Sequence, residues 1–301
     1  MRPAATVPAG PKLLERAAPS AIVAIVGGAQ QTNLDLAEAW YRRGVPAALL
    51  SPHDAGEMLA AGDIAVLRLD VLPTLDGIED GLEELAGLPW RGARVVNPPS
   101  ALVATHDKLR TAWCLTAARI SHPKTVHLPR AGAPLGLRPP FVLKPRFGSW
   151  GEDVFRCLDK RDVDAVLSIV QTRRWFRRHG ALLQELVPSQ GRDFRLIVAG
   201  GRIVGAVQRV APEGEWRTNV SRGAARLPLE PSPELCRLAL AAAAAVDGDF
   251  VGVDVLPLDG GYTVIEVNGA VEFDRIYDLA GRDVYTELVD ALGLPRTLVR
   301  I

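Results

Sequence analysis

The sequence predicts an α/β (α+β) protein with a parallel N-terminal lobe followed by a mainly antiparallel region. Before residue 104, short apolar segments alternate with helical ones, which is typical of a small parallel sheet. Beyond it, apolar segments are joined in pairs by glycine-containing turns, which is typical of antiparallel hairpins. With 301 residues, the chain is long enough for two or three lobes that each have a core.

The composition is that of an ordinary globular protein, with 48% apolar and 23% charged residues and a formal net charge of zero. This balance argues against nucleic acid or an anionic membrane as the main partner. No apolar run is long enough to span a membrane, and the apolar segment 21–28 is explained better as a strand than as a signal sequence. The three cysteines are far apart and indicate neither a disulfide framework nor a zinc site. We therefore expect a cytoplasmic protein.

The N-terminal lobe is predicted over residues 21–103, after a flexible leader of residues 1–20 that is rich in alanine and proline. Gly27 and Gly28 follow its first strand, but the full glycine fingerprint of a dinucleotide site is missing. They therefore indicate a turn that approaches a ligand. The predicted elements are strands 22–26, 47–50, 64–67 and 94–97 and helices 34–43 and 79–86.

A central region is predicted over residues 104–180, and it opens with a helix over 105–119. This helix places Lys108 near the mouth of a cleft, although a solvated lysine is the plainer interpretation. A second helix, 162–179, ends in a basic cluster. Solvation beside the helix C-terminus explains that cluster most simply, and a docking patch for an acidic partner is the alternative. The arginines of the cluster are Arg173, Arg174, Arg177 and Arg178.

A lysine and a glycine-rich loop lie close together in the central region. Lys144 is the one charged residue of the apolar strand 141–145, and a lysine in such a place usually has an anionic partner. The loop that follows can offer backbone N–H groups to phosphate oxygens and can move as a lid. Its residues are Gly148, Ser149, Trp150 and Gly151. Together the two features favour a triphosphate site over an ordinary hairpin.

The C-terminal region is predicted over residues 181–301 and changes to antiparallel architecture. It has a strand at 181–188, and then a polar loop with Arg217 and Asn219 follows the first hairpin. The remaining elements are hairpin strands 193–199 and 202–210 and helices 233–246 and 282–292.

A second hairpin, centred on the turn at 259–261, carries a candidate metal site. Glu266 and Asn268 are two residues apart on one strand and so point to the same face, while Asp254 can face them from the other strand. Two carboxylates and an amide oxygen suit Mg²⁺ when substrate phosphates supply the other ligands. A solvent-facing polar surface is disfavoured, because the flanking residues are apolar and unpaired buried carboxylates are costly.

Taken in order, these segments resemble the ATP-grasp superfamily, specifically its RimK/LysX branch of carboxylate–amine ligases. The resemblance covers about residues 94 to 295, whereas the N-terminal lobe matches only in pattern. The ordered set is specific, although each piece alone is weak. The matching segments are 142–145, 148–151, 184–187, 191–195, 217–219, 252–254 and 266–268.

The resemblance implies a role for each matching residue. Binding of ATP is implied for Lys108, Lys144, Gly148, Ser149, Trp150, Gly151, Gln184, Glu185, Leu186, Val187 and Asp193. Within that set the lysines would contact phosphates, residues 184–186 would form the hinge that recognises adenine, and Asp193 would bind the ribose. Charge on the transferring phosphoryl group would be stabilised by Arg209 and Arg217, with Asn219 in the same pocket. Asp254, Glu266 and Asn268 would hold two Mg²⁺ (or Mn²⁺) ions.

The implied activity is that of an ATP-dependent ligase. It would activate a carboxylate as an acyl-phosphate and join it to an amine of amino-acid or glutamyl type, releasing ADP and phosphate. Phosphoryl transfer is needed because hydroxide is too poor a leaving group for direct amide formation. A small-molecule kinase and a non-catalytic ATP-binding regulatory module are the alternatives.

The residues after Asn268 bear on the substrate. The run 269–273, Gly-Ala-Val-Glu-Phe, is closer to LysX-type members, which use a small acidic carrier protein. Such a carrier would suit the arginine cluster at 173–178, although that cluster is not a family motif. Members of the family are commonly dimers or tetramers, so we expect a homo-oligomer.

Overall fold

A computed structural model of the chain describes residues 21–296, so the leader expected over 1–20 lies outside the described residues. Those residues form three sheets. A parallel sheet consists, in spatial order, of β2 (Ala47–Leu50), β1 (Val23–Val26), β3 (Ile64–Leu67) and β4 (Arg94–Val96). A four-stranded antiparallel sheet consists of β5 (Thr125–Leu128), β8 (Ala181–Glu185), β6 (Phe141–Pro145) and β7 (Phe155–Cys157). A five-stranded antiparallel sheet consists of β11 (Ala225–Pro228), β10 (Arg202–Val210), β9 (Arg192–Ala199), β12 (Phe250–Leu258) and β13 (Gly261–Asn268). The predicted mixture of parallel and antiparallel sheets is confirmed.

The N-terminal lobe is a parallel sheet with helices on both faces. All three of its strand pairings are parallel, as the alternating pattern predicts. Helix α2 (Pro52–Met58) was not predicted, although the Ser51 side chain caps its start by accepting from the Asp54 N–H at 3.1 Å. The strands are β1 (Val23–Val26), β2 (Ala47–Leu50), β3 (Ile64–Leu67) and β4 (Arg94–Val96), and the helices are α1 (Gln31–Arg42), α2 (Pro52–Met58) and α3 (Leu82–Ala86).

Both helices predicted for the central region are broken in the structure. The first becomes α4 (Pro99–His106) and α5 (Lys108–Ala117), because Asp107 adopts an extended backbone conformation and caps α5 through the Leu109 N–H at 3.1 Å. The second becomes α6 (Lys160–Val170) and α7 (Arg174–His179). The single helices over 105–119 and 162–179 were therefore wrong.

The four-stranded sheet joins the central region to the beginning of the C-terminal one. The strand predicted over 181–188 ends at Glu185 and pairs with β6, for example Leu183 beside Leu143. This strand therefore belongs to the four-stranded sheet, while the boundary between the central and C-terminal regions at residue 181 stays a prediction. The strands are β5 (Thr125–Leu128), β6 (Phe141–Pro145), β7 (Phe155–Cys157) and β8 (Ala181–Glu185).

The five-stranded sheet contains both predicted hairpins. Gly200 and Gly201 make the first turn with φ values of 51° and 72°, a region that favours glycine. A short strand, β11, was not predicted. The strands are β9 (Arg192–Ala199), β10 (Arg202–Val210), β11 (Ala225–Pro228), β12 (Phe250–Leu258) and β13 (Gly261–Asn268), with helices α8 (Pro233–Ala245) and α9 (Val284–Ala291).

The cores show how the sheets are connected. One continuous core joins the parallel lobe to the large sheet and α9, with Trp40 and Ile25 packed in the same cluster as Phe250 and Leu288. The four-stranded sheet packs with α6 and α7 in a separate core, to which the N-terminal lobe contributes Val71 and Leu75. No helix within 21–296 is both long and apolar enough to cross a membrane.

Candidate active site

A cavity of about 380 Å³ lies between the two antiparallel sheets and the N-terminal lobe. Every residue predicted for the site lines it, which shows that the sequence motifs converge in space. Its lining includes Lys108, Lys144, Gly148, Ser149, Trp150, Gly151, Gln184, Glu185, Leu186, Val187, Asp193, Arg209, Arg217, Asn219, Asp254, Glu266 and Asn268. The individual roles of these residues remain predictions.

One face of the large sheet carries a row of charged side chains. Arg209 lies opposite Asp193 in the β9–β10 pairing, and Asp254 lies between Arg195 on β9 and Glu266 on β13. Residues directly opposite each other in a sheet share a face, as do residues two apart on a strand. The alternating sequence of β9 therefore delivers Asp193 and Arg195 to the same side as the others.

The row is bound together by buried ion pairs. Arg195 donates two hydrogen bonds of 2.6 Å to Asp254. Arg209 donates to both Asp193, at 2.7 Å, and Asp254, at 2.8 Å. Burial alone would raise the pKa of the Asp254 carboxyl, but the Arg195 and Arg209 guanidinium groups hold it well below its usual range. Sequence reasoning gave Arg195 no role, although its place two residues after Asp193 could have indicated one.

Asp193 does not have the surroundings expected of a ribose ligand. It is 1% exposed, Arg209 contacts both of its oxygens, and Thr218 Oγ1 donates to its Oδ2 at 2.6 Å. These contacts fit a residue that orients Arg209, because little of the carboxylate is left for an outside donor.

The metal-binding prediction requires that hydrogen bonds leave oxygen positions of the three candidate ligands unused. Asp254 already accepts three hydrogen bonds, while Glu266 accepts one from Lys108 at 2.6 Å on Oε1. The buried Nδ2 of Asn268 has no partner within the described chain. Because a carboxylate has about four acceptor positions, Glu266 can supply an oxygen directly and Asp254 one remaining position. The donor set fits Mg²⁺ with substrate oxygens.

No group of three or more histidine, cysteine, aspartate or glutamate side chains in residues 21–296 could hold a metal ion without other ligands. A metal at this place would therefore depend on the Asn268 amide and on oxygens from the substrate. A site that binds the metal together with nucleotide phosphates depends on the phosphates for part of the ligand set in the same way.

Lys144 is buried beside a neutral partner. Its Nζ donates to Gln184 Oε1 at 2.7 Å, and the Gln184 amide donates to Thr125 at 3.0 Å. Burial, and secondly the charge of Lys108, lowers the pKa of Lys144 to about 8. The sequence predicted an anionic partner for Lys144, but its partner is the neutral amide of Gln184. The ammonium is therefore suited to a bound anion.

Lys108 connects three parts of the site. At the first position of α5, its Nζ donates to Glu266 on β13 and to the carbonyl of Gly148, at 2.6 and 2.5 Å. The lysine therefore lies inside the cavity with a carboxylate partner, and the interpretation as a solvated surface lysine was wrong.

The glycine-rich loop packs against the segment that contains Arg217 and Asn219. Ser221 Oγ donates to the Trp150 carbonyl at 2.7 Å. Gly151 has φ of 69°, and a Cβ built there would lie 2.6 Å from Asn219 Oδ1. Only glycine fits this position, so the backbone of the loop can pack directly against Asn219.

Arg217 is held at the cavity edge by a neighbouring carboxylate. It donates to both oxygens of Glu215, at 3.0 and 2.8 Å, and its guanidinium lies 5.8 Å from the Trp216 ring centroid. Hydrogen bonds from Arg217 lower the pKa of Glu215 to about 2. This arginine is half-buried, in contrast to Arg209.

The arginine cluster at the end of α7 is largely occupied within the chain. Asp76 of the N-terminal lobe pairs with Arg174 at 2.6 Å and Arg178 at 3.3 Å, although its own side chain is fully buried. Arg173 pairs with Asp153 at 3.4 Å. These contacts attach the small sheet's helix to the parallel lobe.

Comparison with known proteins gives concordant results. A family model described as "RimK-like ATP-grasp domain" matches residues 105–292. A tetrahydromethanopterin:alpha-L-glutamate ligase from Methanosarcina acetivorans is 29% identical over 75% of this chain and 79% of that protein. An alpha-aminoadipate–LysW ligase, LysX, from Sulfolobus acidocaldarius is 32% identical over 66% of this chain and 73% of that protein.

Solved structures share the fold. A RimK domain ATP-grasp protein from Sphaerobacter thermophilus has a TM-score of 0.65 at 22% identity, with 90% of this chain and 99% of that one covered. A D-alanine–D-alanine ligase from Bacillus anthracis also has a TM-score of 0.65, at 16% identity, with 91% and 96% covered.

The fold and the cavity define an ATP-grasp enzyme, an ATP-dependent ligase that joins a carboxylate to an amine. Within that class, the chain belongs to the RimK-like ATP-grasp family. The family resemblance noted in the sequence is confirmed, and so is the predicted ligase activity. ATP and Mg²⁺ are what enzymes of this class use in general.

Proposed function

We propose that the enzyme forms an amide bond with an amino-acid or glutamyl-type substrate by way of an acyl-phosphate in the cavity between the two antiparallel sheets. The observation that carries the proposal is the convergence, in one cavity, of the buried ammonium of Lys144 with the Glu266–Asn268 strand. A buried ammonium whose partner is a neutral amide, beside a metal-type donor set, is suited to nucleotide triphosphate, because the ammonium and the metal would each neutralise part of the triphosphate charge.

In this proposal Lys144 and Lys108 bind phosphate oxygens, and the hinge 184–187 contacts the base. Arg209 and Arg217 stabilise the charge that develops as the phosphoryl group moves to the substrate carboxylate. Asp193 and Asp254 orient Arg209, which replaces the ribose-binding role for Asp193. The chemistry needs no nucleophilic side chain, since the carboxylate attacks the phosphoryl group and the amine then displaces phosphate.

Glu266, Asn268 and Asp254 are proposed to hold Mg²⁺ (or Mn²⁺), two ions as the family resemblance implies, with substrate oxygens completing the ligand sets. When bound, the metal would neutralise phosphate charge and orient the phosphoryl group. Lys108 would then exchange part of its contact with Glu266 for the phosphates. The loop 148–151 would exclude water, which otherwise hydrolyses an acyl-phosphate.

Hydroxylamine trapping tests this proposal. Purified enzyme, ATP, Mg²⁺ and hydroxylamine are incubated with a panel of carboxylates that includes glutamate-ended peptides, and hydroxamates are detected by mass spectrometry. We expect an ATP-dependent hydroxamate that is lost in Glu266→Gln. This variant is preferred to Asp254→Ala because Glu266 is partly exposed, whereas Asp254 anchors two buried arginines.

The control is Asp164→Asn, which removes a carboxylate from an exposed i,i+4 pair with Lys160. It should leave hydroxamate formation unchanged. Formation of ADP with a stable phosphorylated product and no hydroxamate would support a kinase instead. Clear ATP binding without turnover on any carboxylate would support the regulatory alternative.

The relatives suggest two kinds of substrate. One group is named for alpha-L-glutamate ligation, and another for joining alpha-aminoadipate to LysW. An acidic carrier remains a hypothesis for this chain, with docking near the arginine cluster 173–178. Since Arg173, Arg174 and Arg178 already pair with Asp153 and Asp76, the exposed Arg177 is the member best placed to meet a partner.

A charge reversal tests carrier docking. Arg177→Glu should raise the KM for an acidic carrier several-fold without changing ATP binding, whereas Arg174→Glu should also disturb the contact with the N-terminal lobe. Unchanged carrier kinetics in Arg177→Glu would remove this hypothesis. A homo-oligomer and a cytoplasmic location are likewise proposed, only because they are common in the family. Sedimentation analysis of the purified chain tests the oligomeric state.

A further inference from the structure

An ion pair joins the start of α5 to the segment just before the glycine-rich loop. Arg146 directly follows β6, and it donates through Nε to Asp107 Oδ1 at 3.1 Å and through Nη2 to Asp107 Oδ2. The side chain of Asp107 is 4% exposed and that of Arg146 is 21% exposed. Within residues 21–296, neither residue lines the cavity. Any effect of this pair on a bound nucleotide must therefore pass through other residues.

The same two segments are also joined through their backbones. The Lys108 N–H donates to the carbonyl of Arg146 at 3.0 Å. Asp107 pairs with Phe147 in an antiparallel bridge. Asp107 Oδ1 also accepts from the Leu109 N–H at 3.1 Å, which caps the first turn of α5. One buried carboxylate thus fixes where the helix begins relative to the segment that leads into the loop.

This junction of residues 107–108 with 146–148 also determines what the Lys108 ammonium can reach. Its Nζ donates to the carbonyl of Gly148 at 2.5 Å and to Glu266 Oε1 at 2.6 Å. Gly148 lies two residues after Arg146, so the junction places both the backbone of the lysine and one acceptor of its ammonium. A long lysine side chain loses rotamer freedom when it binds at a defined point. A fixed backbone reduces the part of the chain that must still be ordered when phosphate binds.

We propose that Arg146 is a positioning residue that acts through Lys108, because its pair with Asp107 holds the ammonium where ATP phosphates bind. The inference rests on the proposed function, which gives Lys108 its phosphate-binding role. An arginine suits this task because its planar fork meets both carboxylate oxygens at once, whereas a lysine would bind as a point charge.

A second ion pair has the same architecture away from the cavity. Arg43, just after α1, donates through Nε to Asp283 at 3.0 Å, and Asp283 caps α9 by accepting from the Thr286 N–H at 3.2 Å. The side chains of Arg43 and Asp283 are 28% and 21% exposed. In the part of the chain that the structure describes, neither lines the cavity. This pair is therefore a matched control, in which an arginine holds a helix-capping aspartate without a neighbouring Lys108.

A double-variant cycle tests the positioning role. The affinity for AMPPNP, a non-hydrolysable ATP analogue, is measured with Mg²⁺ by isothermal titration calorimetry. Lys108→Met should weaken binding about 10- to 100-fold, the effect of losing a charge-assisted hydrogen bond. Arg146→Gln should weaken it about 3- to 10-fold, which is within the range of coupling between contacting residues. The double variant should bind no more weakly than Lys108→Met alone, and Arg43→Gln should bind like the wild type.

Loss of the folded state is controlled separately. Urea denaturation of each variant verifies that the folded enzyme is the species titrated. If Arg146→Gln does not fold, Arg146→Lys takes its place in the cycle, with Arg43→Lys as its control. This change keeps the positive charge and removes only the planar fork.

The outcomes separate this inference from the underlying function. Absence of AMPPNP binding by the wild-type enzyme, or wild-type affinity in Lys108→Met, would contradict the proposed phosphate site and overturn the positioning role with it. If Lys108 does contribute, wild-type affinity in the Arg146 variant would show that the pair with Asp107 is structural only. An Arg146 effect that is as large without Lys108 as with it would show that Arg146 acts by another route. Either of these last two results overturns the inference and leaves the ligase proposal intact.

Discussion

The two antiparallel sheets that face each other across the cavity stabilise their charged groups in opposite ways. The large sheet pairs Asp254 with two arginines in a buried network. The small sheet leaves Lys144 with an amide partner. The large sheet also shares a core with the strands and α1 of the N-terminal lobe, whereas the small sheet packs in a separate core that receives Val71 and Leu75 from that lobe. The first charged arrangement is preorganised by its ion pairs, and the second leaves a buried ammonium beside a neutral amide.

This difference explains why two arginines with the same predicted role are embedded differently. Arg209 is 3% exposed and holds two carboxylates, so its position is fixed before any substrate arrives. Arg217 is half-buried and contacts one carboxylate beside the loop 148–151. We therefore expect Arg209 to be preorganised and Arg217 to adjust if the loop closes on a substrate.

The largest effect is expected at the centre of the fixed network. Asp254→Ala leaves Arg195 and Arg209 buried without their shared partner, so we expect a loss of about 3–5 kcal/mol in the free energy of unfolding. Turnover should be abolished as well. Urea denaturation measures the first effect and hydroxamate formation the second. A stability within about 1 kcal/mol of wild type would show that the network is not the stabilising feature described here.

The adjustable arginine should separate activity from stability. Arg217→Ala should lower kcat about 100- to 1,000-fold, as removal of one charge-stabilising donor does. Its effect on the free energy of unfolding should stay below about 1 kcal/mol, because Glu215 remains partly solvated. Arg209→Ala should lower both quantities. The contrast between the two variants would disappear if both arginines were equally structural.

Lys144 predicts a pH dependence of nucleotide binding. Its pKa of about 8 in the free enzyme should rise when phosphates bind, because the protonated ammonium is the form that binds them. The affinity for ATP should therefore be highest below pH 8 and should fall as the pH rises through that value. The KM for ATP measured from pH 7 to pH 9 should therefore increase at the upper end. Lys144→Arg is the control, since an arginine stays charged throughout this range. An identical slope in both proteins would assign the titration to another group.

A smaller effect is expected at the contact between the loop and the segment beside it. Ser221→Ala removes the hydrogen bond to the Trp150 carbonyl, which is worth about 0.5–1.5 kcal/mol. The closed loop would become less populated, and ATP hydrolysis in the absence of amine should rise about 2- to 10-fold. Release of phosphate without amide formation measures it. Ser168→Ala, on the exposed face of α6, is the control and should leave hydrolysis unaltered.

The sequence could predict what depends on neighbours along the chain. Glu266 and Asn268 alternate on one strand, and strands alternate with helices in the parallel lobe, so both features follow from local periodicity. Asp254 lies opposite Glu266 because a register shift between Asp254 and Val255 leaves Ile265 without a paired residue, and the turn alone does not encode that shift. The break at Asp107 is a local feature too, and it was missed because an aspartate can cap a new helix inside a helical pattern.

Features that depend on long-range packing could not be predicted. The partners of Asp254 come from strands whose order in the sheet is not encoded by any one segment. Arg68, two residues before Asp70 of the cavity lining, donates to the carbonyl of Val271, 203 residues away. The assignment of strand 181–185 to the small sheet likewise depends on which apolar strand it pairs with. An alternating pattern within one strand does not identify that partner.

The core shared by the N-terminal lobe and α9 has a consequence for how the protein is made. Arg43, just after α1, binds Asp283 at the start of α9, 240 residues further along the chain. At about 5–20 residues per second, roughly 10 to 50 s of synthesis separate these partners on the ribosome. During that interval the inner face of α1, including Trp40, has no α9 to cover it. The first-made lobe would therefore be a natural client for chaperones, and a fragment ending before α9 should need them permanently.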